Sequence, residues 1–227
     1  MTLPYNLSFG KILIRKISEC IRKKFFFRKI SGCMDIEYIK ENYRFETLGD
    51  KHDLSEFNCA SDDLNDFLKN DALEQQESKL NLTKLVMCDD RIVAYVSLLT
   101  DTIPLKDIRD EDIRQDIKDR LSISSRKRKI PAIKIGRLAV DERYAGKGLG
   151  SEILMSVLFN IKNIAENSVG LRFVTVEGYA TAYNFYANHN FINLKKDDGK
   201  IKEKLDIIIE RNPEETFYLY LDLRVLE

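Results

Sequence analysis

Gly146, Gly148 and Gly150 fall within five residues, and the turn they make could hold a phosphate. They follow a strand-like run, Ile130 to Val140. Apolar residues at helical spacing come after them: Leu149, Ile153, Leu154, Val157, Leu158, Ile161 and Ile164. A glycine turn between a strand and a helix start is an anion site. The glycines let the backbone come close, and the N–H groups of the first helical turn have no partner inside the helix. A helix entry that merely tolerated glycines would give up propensity for no return. The spacing excludes two common phosphate motifs. A P-loop needs a glycine five residues before the glycine that precedes its lysine, and Gly146-Lys147 has none. A dinucleotide fingerprint runs G-x-G-x-x-G near a first strand, whereas these glycines run G-x-G-x-G far down the chain.

Other chemistry finds little support. The histidines, His52 and His189, are too few and too separate for a metal site, and neither sits in a context that a Ser-His-Asp arrangement would need. Cys20, Cys33, Cys59 and Cys88 have no paired spacing, which predicts free thiols in a reducing cytoplasm. The run Arg126-Lys127-Arg128-Lys129 reads as a solvated loop, or else as a contact to RNA phosphates or a ribose phosphate.

The stretch GRLAVDERYAGKGLGSEIL (Gly136 to Leu154) resembles the pyrophosphate-binding segment of the GCN5-related N-acetyltransferases, the GNAT family. The family pattern is Gln/Arg-x-x-Gly-x-Gly/Ala. Its glycines fall on Gly148 and Gly150, which puts Ala145 where Arg or Gln is usual. Arg143 fits a frame two residues earlier, but the later frame agrees with the helix start. The resemblance implies acetyl-coenzyme A as acetyl donor and no metal. It implies the pyrophosphate on Ala145, Gly146, Lys147, Gly148, Leu149, Gly150 and Ser151. The pantetheine arm would pair like an added strand with the backbone of Leu138, Ala139 and Val140.

Two further segments extend the resemblance. VTVEGYATAYNFYANHNF (Val174 to Phe191) is similar to the family's V-x-x-x-N-x-x-A-x-x-F-Y-x-x-x-G-F. Ala182, Phe185, Tyr186 and Phe191 fit, while Tyr179 stands for Asn and Asn190 for Gly. Asn tolerates left-handed backbone better than most residues, so the turn before Phe191 is expected to survive. By themselves Phe185 and Tyr186 read as core on a short helix; the resemblance makes Tyr186 the general acid beside the thioester sulfur. FNCASDDLNDFLKNDALEQQ (Phe57 to Gln76) and TKLVMCDDRIVAYVSLLTDTI (Thr83 to Ile103) resemble one branch of the family, with Ala60 and Ala94 standing for glycines and Asn65 for Asp. That branch includes toxins that acetylate the amino group of aminoacyl-tRNA. The resemblance runs from about Tyr43 to Leu223. Candidate partners are acetyl-coenzyme A, an amine acceptor, tRNA, an antitoxin and a second copy of the chain.

A thioester carries its own activation, so the protein's share is positioning, an oxyanion donor and a proton for the departing thiolate. Tyr186, with an ordinary pKa of about 10, can supply that proton. A base is harder to find. The strand Ala132–Val140 holds no Glu or Asp before Asp141, and Glu177, at the end of the next strand, is the remaining candidate. A lysine ε-amine, pKa about 10.4, needs a base, whereas an α-amine, pKa about 7.7–8.0, is roughly a tenth neutral at pH 7. The chain therefore reads as an N-acetyltransferase of a primary amine, with an α-amine favoured. A toxin-type acetyltransferase of aminoacyl-tRNA and a non-catalytic acyl-coenzyme A-binding module are the alternatives.

The elements that must position these residues are legible in outline. A helix is expected from Ser61, as N-cap, to Leu80. Strands are expected at Thr83–Asp89, Ile92–Leu99, Ile133–Val140, Leu171–Val176 and Thr216–Val225. Lys106–Ser122 reads as a surface helix or a mobile segment, and Lys195–Glu215 as a loop with a short helix around Leu205–Ile209. The expected fold class is α/β, with a GNAT-like mixed sheet flanked by helices and splayed between Ile133–Val140 and Leu171–Val176.

With 227 residues, 44% hydrophobic and 33% charged, the chain has the composition of a globular protein. Its formal charge is zero, but residues 1–30 hold eight Lys or Arg against one Glu, so the remainder is acidic. Ile14, Ile17, Ile21 and Phe25 mark a basic amphipathic helix from Lys11 to Ile30. Residues 1–34 read as an extension ahead of an acetyltransferase domain at 35–227. The extension could add little, pack on the domain, or lie on RNA or an anionic membrane; membrane contact through 11–30 is not favoured.

Overall fold

The computed structural model describes residues 34–121 and 128–226. The expected helix at 11–30, Cys20, Cys33, Arg126 and Lys127 lie outside them. The chain divides into two units, 1–42 and 43–227. In the first, helix α1 (Ile36–Asn42) carries Glu37 in its first turn, bonded to Lys40 at 2.8 Å.

The second unit is built on a seven-stranded sheet. Its strands are β1 (Arg44–Thr47), β2 (Leu82–Cys88), β3 (Arg91–Pro104), β4 (Lys129–Val140), β5 (Phe173–Tyr179), β6 (Ile192–Asn193) and β7 (Thr216–Asp222). They lie in the order β1-β2-β3-β4-β5-β7-β6. Among the described strands only β4 and β5 pair in parallel, and that pairing is short: Ala132–Ile135 against Phe173–Val176. Past Ile135 and Val176 the two strands part, so the expected splay is present. On its other side β4 stays paired with β3 up to Val140, through a bulge at Gly136, because Ser97 faces Arg137 while Leu98 faces Ile135.

Helix α2 begins where expected. Ser61 caps it by accepting the Leu64 N–H at 3.4 Å, and Asp62 and Asp63 fill the favourable first turn. It runs over 62–77 and widens into a π turn at Phe67–Asp71. Helix α3 (Glu111–Leu121) settles the open reading of that segment in favour of a helix. Helix α4 (Leu149–Asn167) buries Leu149, Ile153, Leu154, Val157, Leu158 and Ile161, the stripe read from spacing. Helix α5 (Tyr183–Ala187) ends in a turn where Asn190 takes φ 64°, the left-handed conformation expected of it.

Helix α6 (Asp198–Arg211) corrects the short helix expected around Leu205–Ile209. Two features lengthen it: the Asp197 carboxylate accepts the Lys200 N–H at 3.1 Å, and Ile201 adds a full turn of buried contact ahead of Leu205. The last expected strand also changes, since β7 stops at Asp222 and a 3₁₀ turn covers Leu223–Leu226. Two core clusters lie among the described residues. Phe57, Phe67 and Tyr95 anchor one beneath α2; Phe173 and Tyr220 anchor the other, with Ile108 and Ile117 from the α3 side.

Candidate functional site

The site starts where β4 leaves β5. A cleft of about 280 Å³ opens there, lined by Asp63 and Leu64 of α2, Lys134–Leu138 of β4, Val176–Tyr179 of β5, Ala182 and Tyr186, and Thr216. Along this gap β4 has a backbone edge with no strand opposite it. A bulge bends a strand and re-aims its side chains, and this one sits one residue past the last β4–β5 pair. A Cβ on Gly136 would lie 2.7 Å from the tip of the Leu99 side chain, which would have to swing aside.

Leu138, Ala139 and Val140 form the stretch of β4 that runs from the cleft to the glycine turn. Their partners on β3 are Val96, Tyr95 and Ala94. Asp141 then organises the turn. It is 1% exposed and accepts Arg143 Nε at 2.7 Å, Arg143 Nη2 at 2.8 Å, and the Arg143 and Asn58 N–H groups. Burial pushes the Asp141 carboxyl up, but the Arg143 guanidinium and the two backbone donors outweigh it and hold the group below the usual range. Arg143 is therefore engaged inside the turn, with a further bond to the Glu56 carbonyl at 3.2 Å.

Beyond Arg143 the chain turns outward. Ala145, Gly146, Lys147 and Gly148 are exposed, and Lys147 Nζ donates to the Arg143 carbonyl at 2.9 Å. Gly146 and Gly148 have φ 70° and 81°, a conformation costly for any residue with a Cβ. Gly148 is the N-cap of α4 and offers no side-chain acceptor. The N–H groups of Leu149, Gly150 and Ser151, the first three helical positions, thus have no intrahelical carbonyl to bond. Gly150 faces α5, where a Cβ would sit in ordinary contact with the Phe185 ring at 3.6 Å.

Phe185 precedes Tyr186, which lines the cleft and is 6% exposed. Its ring packs edge-on to Phe185 and Phe191, at 5.0 and 5.5 Å, and rests on Gly178, where a Cβ would come within 3.1 Å. Burial pushes its phenol well above the usual tyrosine range, so the hydroxyl stays protonated. α5 is held from beneath: Tyr183 donates a short bond to Asp198 at the start of α6. Glu177 also lines the cleft, ion-paired with Lys134 at 2.9 Å. The structure thus brings Leu138, Tyr186 and Glu177 to one cleft. It sets the glycine turn at the far end of β4, linked to Tyr186 through Gly150 and Phe185. Sequence reading missed Gly136, Gly178, Arg137 and Asp141. An isolated glycine inside the expected strand Ile133–Val140 was the available signal for Gly136.

No protein-family model matches the chain. A tRNA-acetylating toxin of Mycobacterium tuberculosis (strain ATCC 25618 / H37Rv) is 26% identical over 145 residues, 63% of this chain and 81% of that protein. The solved structure of AtaT complexed with acetyl-methionyl-tRNAfMet superposes with a TM-score of 0.63 at 20% identity, covering 82% of this chain and 97% of that one. The chain has the GNAT fold. A mutant AtaT toxin bound to acetyl-coenzyme A and to the C-terminus of the antitoxin AtaR gives a TM-score of 0.58 at 21% identity, over 82% of this chain and 96% of that one. These relatives bear out the reading of an acyltransferase that draws on acetyl-coenzyme A. The site fits that donor: a capless left-handed glycine turn leads into a strand edge that ends beside a buried phenol.

Proposed function

We propose that this chain transfers the acetyl group of acetyl-coenzyme A to the α-amine of an aminoacyl-tRNA. The pyrophosphate rests on the N–H groups of the turn from Ala145 to Ser151. The pantetheine arm lies along Leu138–Val140 and adds hydrogen bonds to the open edge of β4. That brings the thioester to the cleft at Tyr186. The neutral amine attacks the carbonyl, the C–N bond forms and the C–S bond breaks. Tyr186 gives its proton to the leaving thiolate and recovers one afterwards. The retained, cleft-lining phenol favours an enzyme over a non-catalytic binding module.

One observation carries the choice of acceptor. Among the described residues lining the cleft, Glu177 is engaged by Lys134 at 2.9 Å, while Asp63 lies 3.9 Å from Arg137, outside hydrogen-bond range. Glu177 is thus held by a cation rather than presented to an incoming amine, which suits an amine that is already partly neutral at pH 7. An α-amine near pKa 8 meets that condition and a lysine ε-amine does not. The Mycobacterium relative, a tRNA-acetylating toxin, and AtaT complexed with acetyl-methionyl-tRNAfMet support a tRNA acceptor, and the AtaR complex of AtaT supports an antitoxin as partner.

The test uses labelled acetyl-coenzyme A with a charged tRNA pool and a cell extract. Alkaline hydrolysis of the tRNA fraction should release an N-acetyl-amino acid, identified by mass spectrometry. Label confined to protein lysines or to small amines would overturn the assignment.

A further inference from the structure

Arg137 is a cation in the cleft that the acetyl transfer above does not use. The bulge at Gly136 places it just past the point where β4 and β5 part. Its guanidinium carbon lies 4.8 Å from the centre of the Phe67 ring, and Phe67 stacks in turn on Tyr95 at 6.2 Å. Tyr95 is fixed as well, through a 2.7 Å bond from its hydroxyl to the Leu64 carbonyl. A guanidinium steadied by aromatic packing retains in-plane N–H donors.

Those donors are under-used. Nη1 bonds only the neighbouring Gly136 carbonyl, at 3.0 Å, and Nε is buried without a hydrogen-bond partner. The nearest carboxylate oxygen, on Asp63, is 3.9 Å from Nε, beyond hydrogen-bond range. Lys134, the other cation of the cleft, is by contrast engaged with Glu177 at 2.9 Å and lies over the Tyr218 ring. A positioned guanidinium with spare donors in a cleft is a receptor for an oxyanion.

The donor does not supply that anion. Its phosphates belong at the glycine turn, at the opposite end of the Leu138–Val140 stretch, so Arg137 stands on the acceptor side. An aminoacyl ester has no free α-carboxylate, and the anion nearest its amine is the phosphodiester of the terminal nucleotide. Resting on the aminoacyl-tRNA reading, we propose that Arg137 clamps the phosphate of the acceptor's terminal nucleotide and so places the amine at the thioester.

The test compares the full chain with Arg137→Met and Arg137→Lys on two acceptors: an aminoacyl-tRNA and the methyl ester of the same amino acid, which lacks phosphate. Charge-assisted hydrogen bonds are worth enough that KM for aminoacyl-tRNA should rise about 10–100-fold in Arg137→Met. The methyl ester should lose far less, and Arg137→Lys should recover part of the difference. An unchanged thermal shift with acetyl-coenzyme A shows that fold and donor site are intact; if the Met variant is unstable, the Lys variant carries the comparison. Equal losses on both acceptors, or no loss on either, overturn the clamp alone. A wild-type chain that acetylates other amines but not aminoacyl-tRNA overturns the acceptor reading and the clamp with it.

Discussion

The two ends of β4 are built in different ways. At its C-terminal end the proposed donor site is mostly backbone: two glycines in left-handed conformation, a helix start with no side-chain cap and an open strand edge. At the cleft the proposed acceptor side is mostly side chain, with Tyr186 buried on Gly178, Arg137 laid on Phe67 and Glu177 tied to Lys134. A backbone site tolerates changes of side chain but not of glycine. A side-chain site depends on the strand geometry that aims each group. Ala145, standing where the family has Arg or Gln, is a change the first kind of site can absorb.

The largest effect should come from the cleft end. Tyr186→Phe keeps the ring and its packing but removes the proton donor, and turnover should fall about 10²–10⁴-fold. Acetyl-coenzyme A affinity, measured by calorimetry, should stay within a few-fold; a variant with unchanged turnover would make Tyr186 a packing residue. At the other end, Gly148→Asp puts a strained side chain and a negative charge in the turn. Ligand present at about 100 times its dissociation constant stabilises a protein by roughly 2.7 kcal/mol, and this variant should lose most of that thermal shift. A full shift would sink the turn as the phosphate site.

Gly136→Val joins the two ends, because the bulge aims Arg137 while the strand continues to the turn. The added atoms meet the tip of the half-buried Leu99 side chain, which can swing aside, so the stability loss, readable as a lower urea midpoint, should stay below the ~1–3 kcal/mol of core overpacking. Its kinetic damage should fall on the acceptor's KM more than on donor affinity; the reverse pattern would contradict the division of β4 described here.

The smallest effect concerns pH. Burial raises the phenols of Tyr186 and Tyr95. Unfolded tyrosines ionise near pH 10 and these folded ones do not, so their contribution to stability is complete below about pH 10 and declines above it. Denaturation midpoints should therefore fall between pH 10 and 11, while Tyr186 itself causes no loss of turnover below pH 10. An alkaline loss of turnover that vanishes in Tyr186→Phe would show that its phenol is not raised.

The same contrast explains what the sequence disclosed. Gly146 and Gly148 announce themselves because left-handed backbone favours glycine, and the stripe from Leu149 to Ile161 follows helical spacing. Ser61 and Asn190 behave as capping and left-handed residues should. Arg137 gave no such signal, since its value comes from a register slip at Gly136 that only strand pairing reveals. β1 and β6 escaped notice because four and two residues are too few for an alternating pattern. α6 looked like a polar loop because its buried contact rests on Ile201 and Leu205 alone.

The parting of β4 from β5 also makes this strand uneven towards deuterium. Between Gly136 and Val140, amides bonded to β3 should be protected, while those turned to the gap should exchange almost as freely as at a sheet rim. Donor lying along that edge would slow only the second set. The strand thus carries its own occupancy gauge, in which alternate amides report whether the acetyl donor has arrived before any acceptor is present.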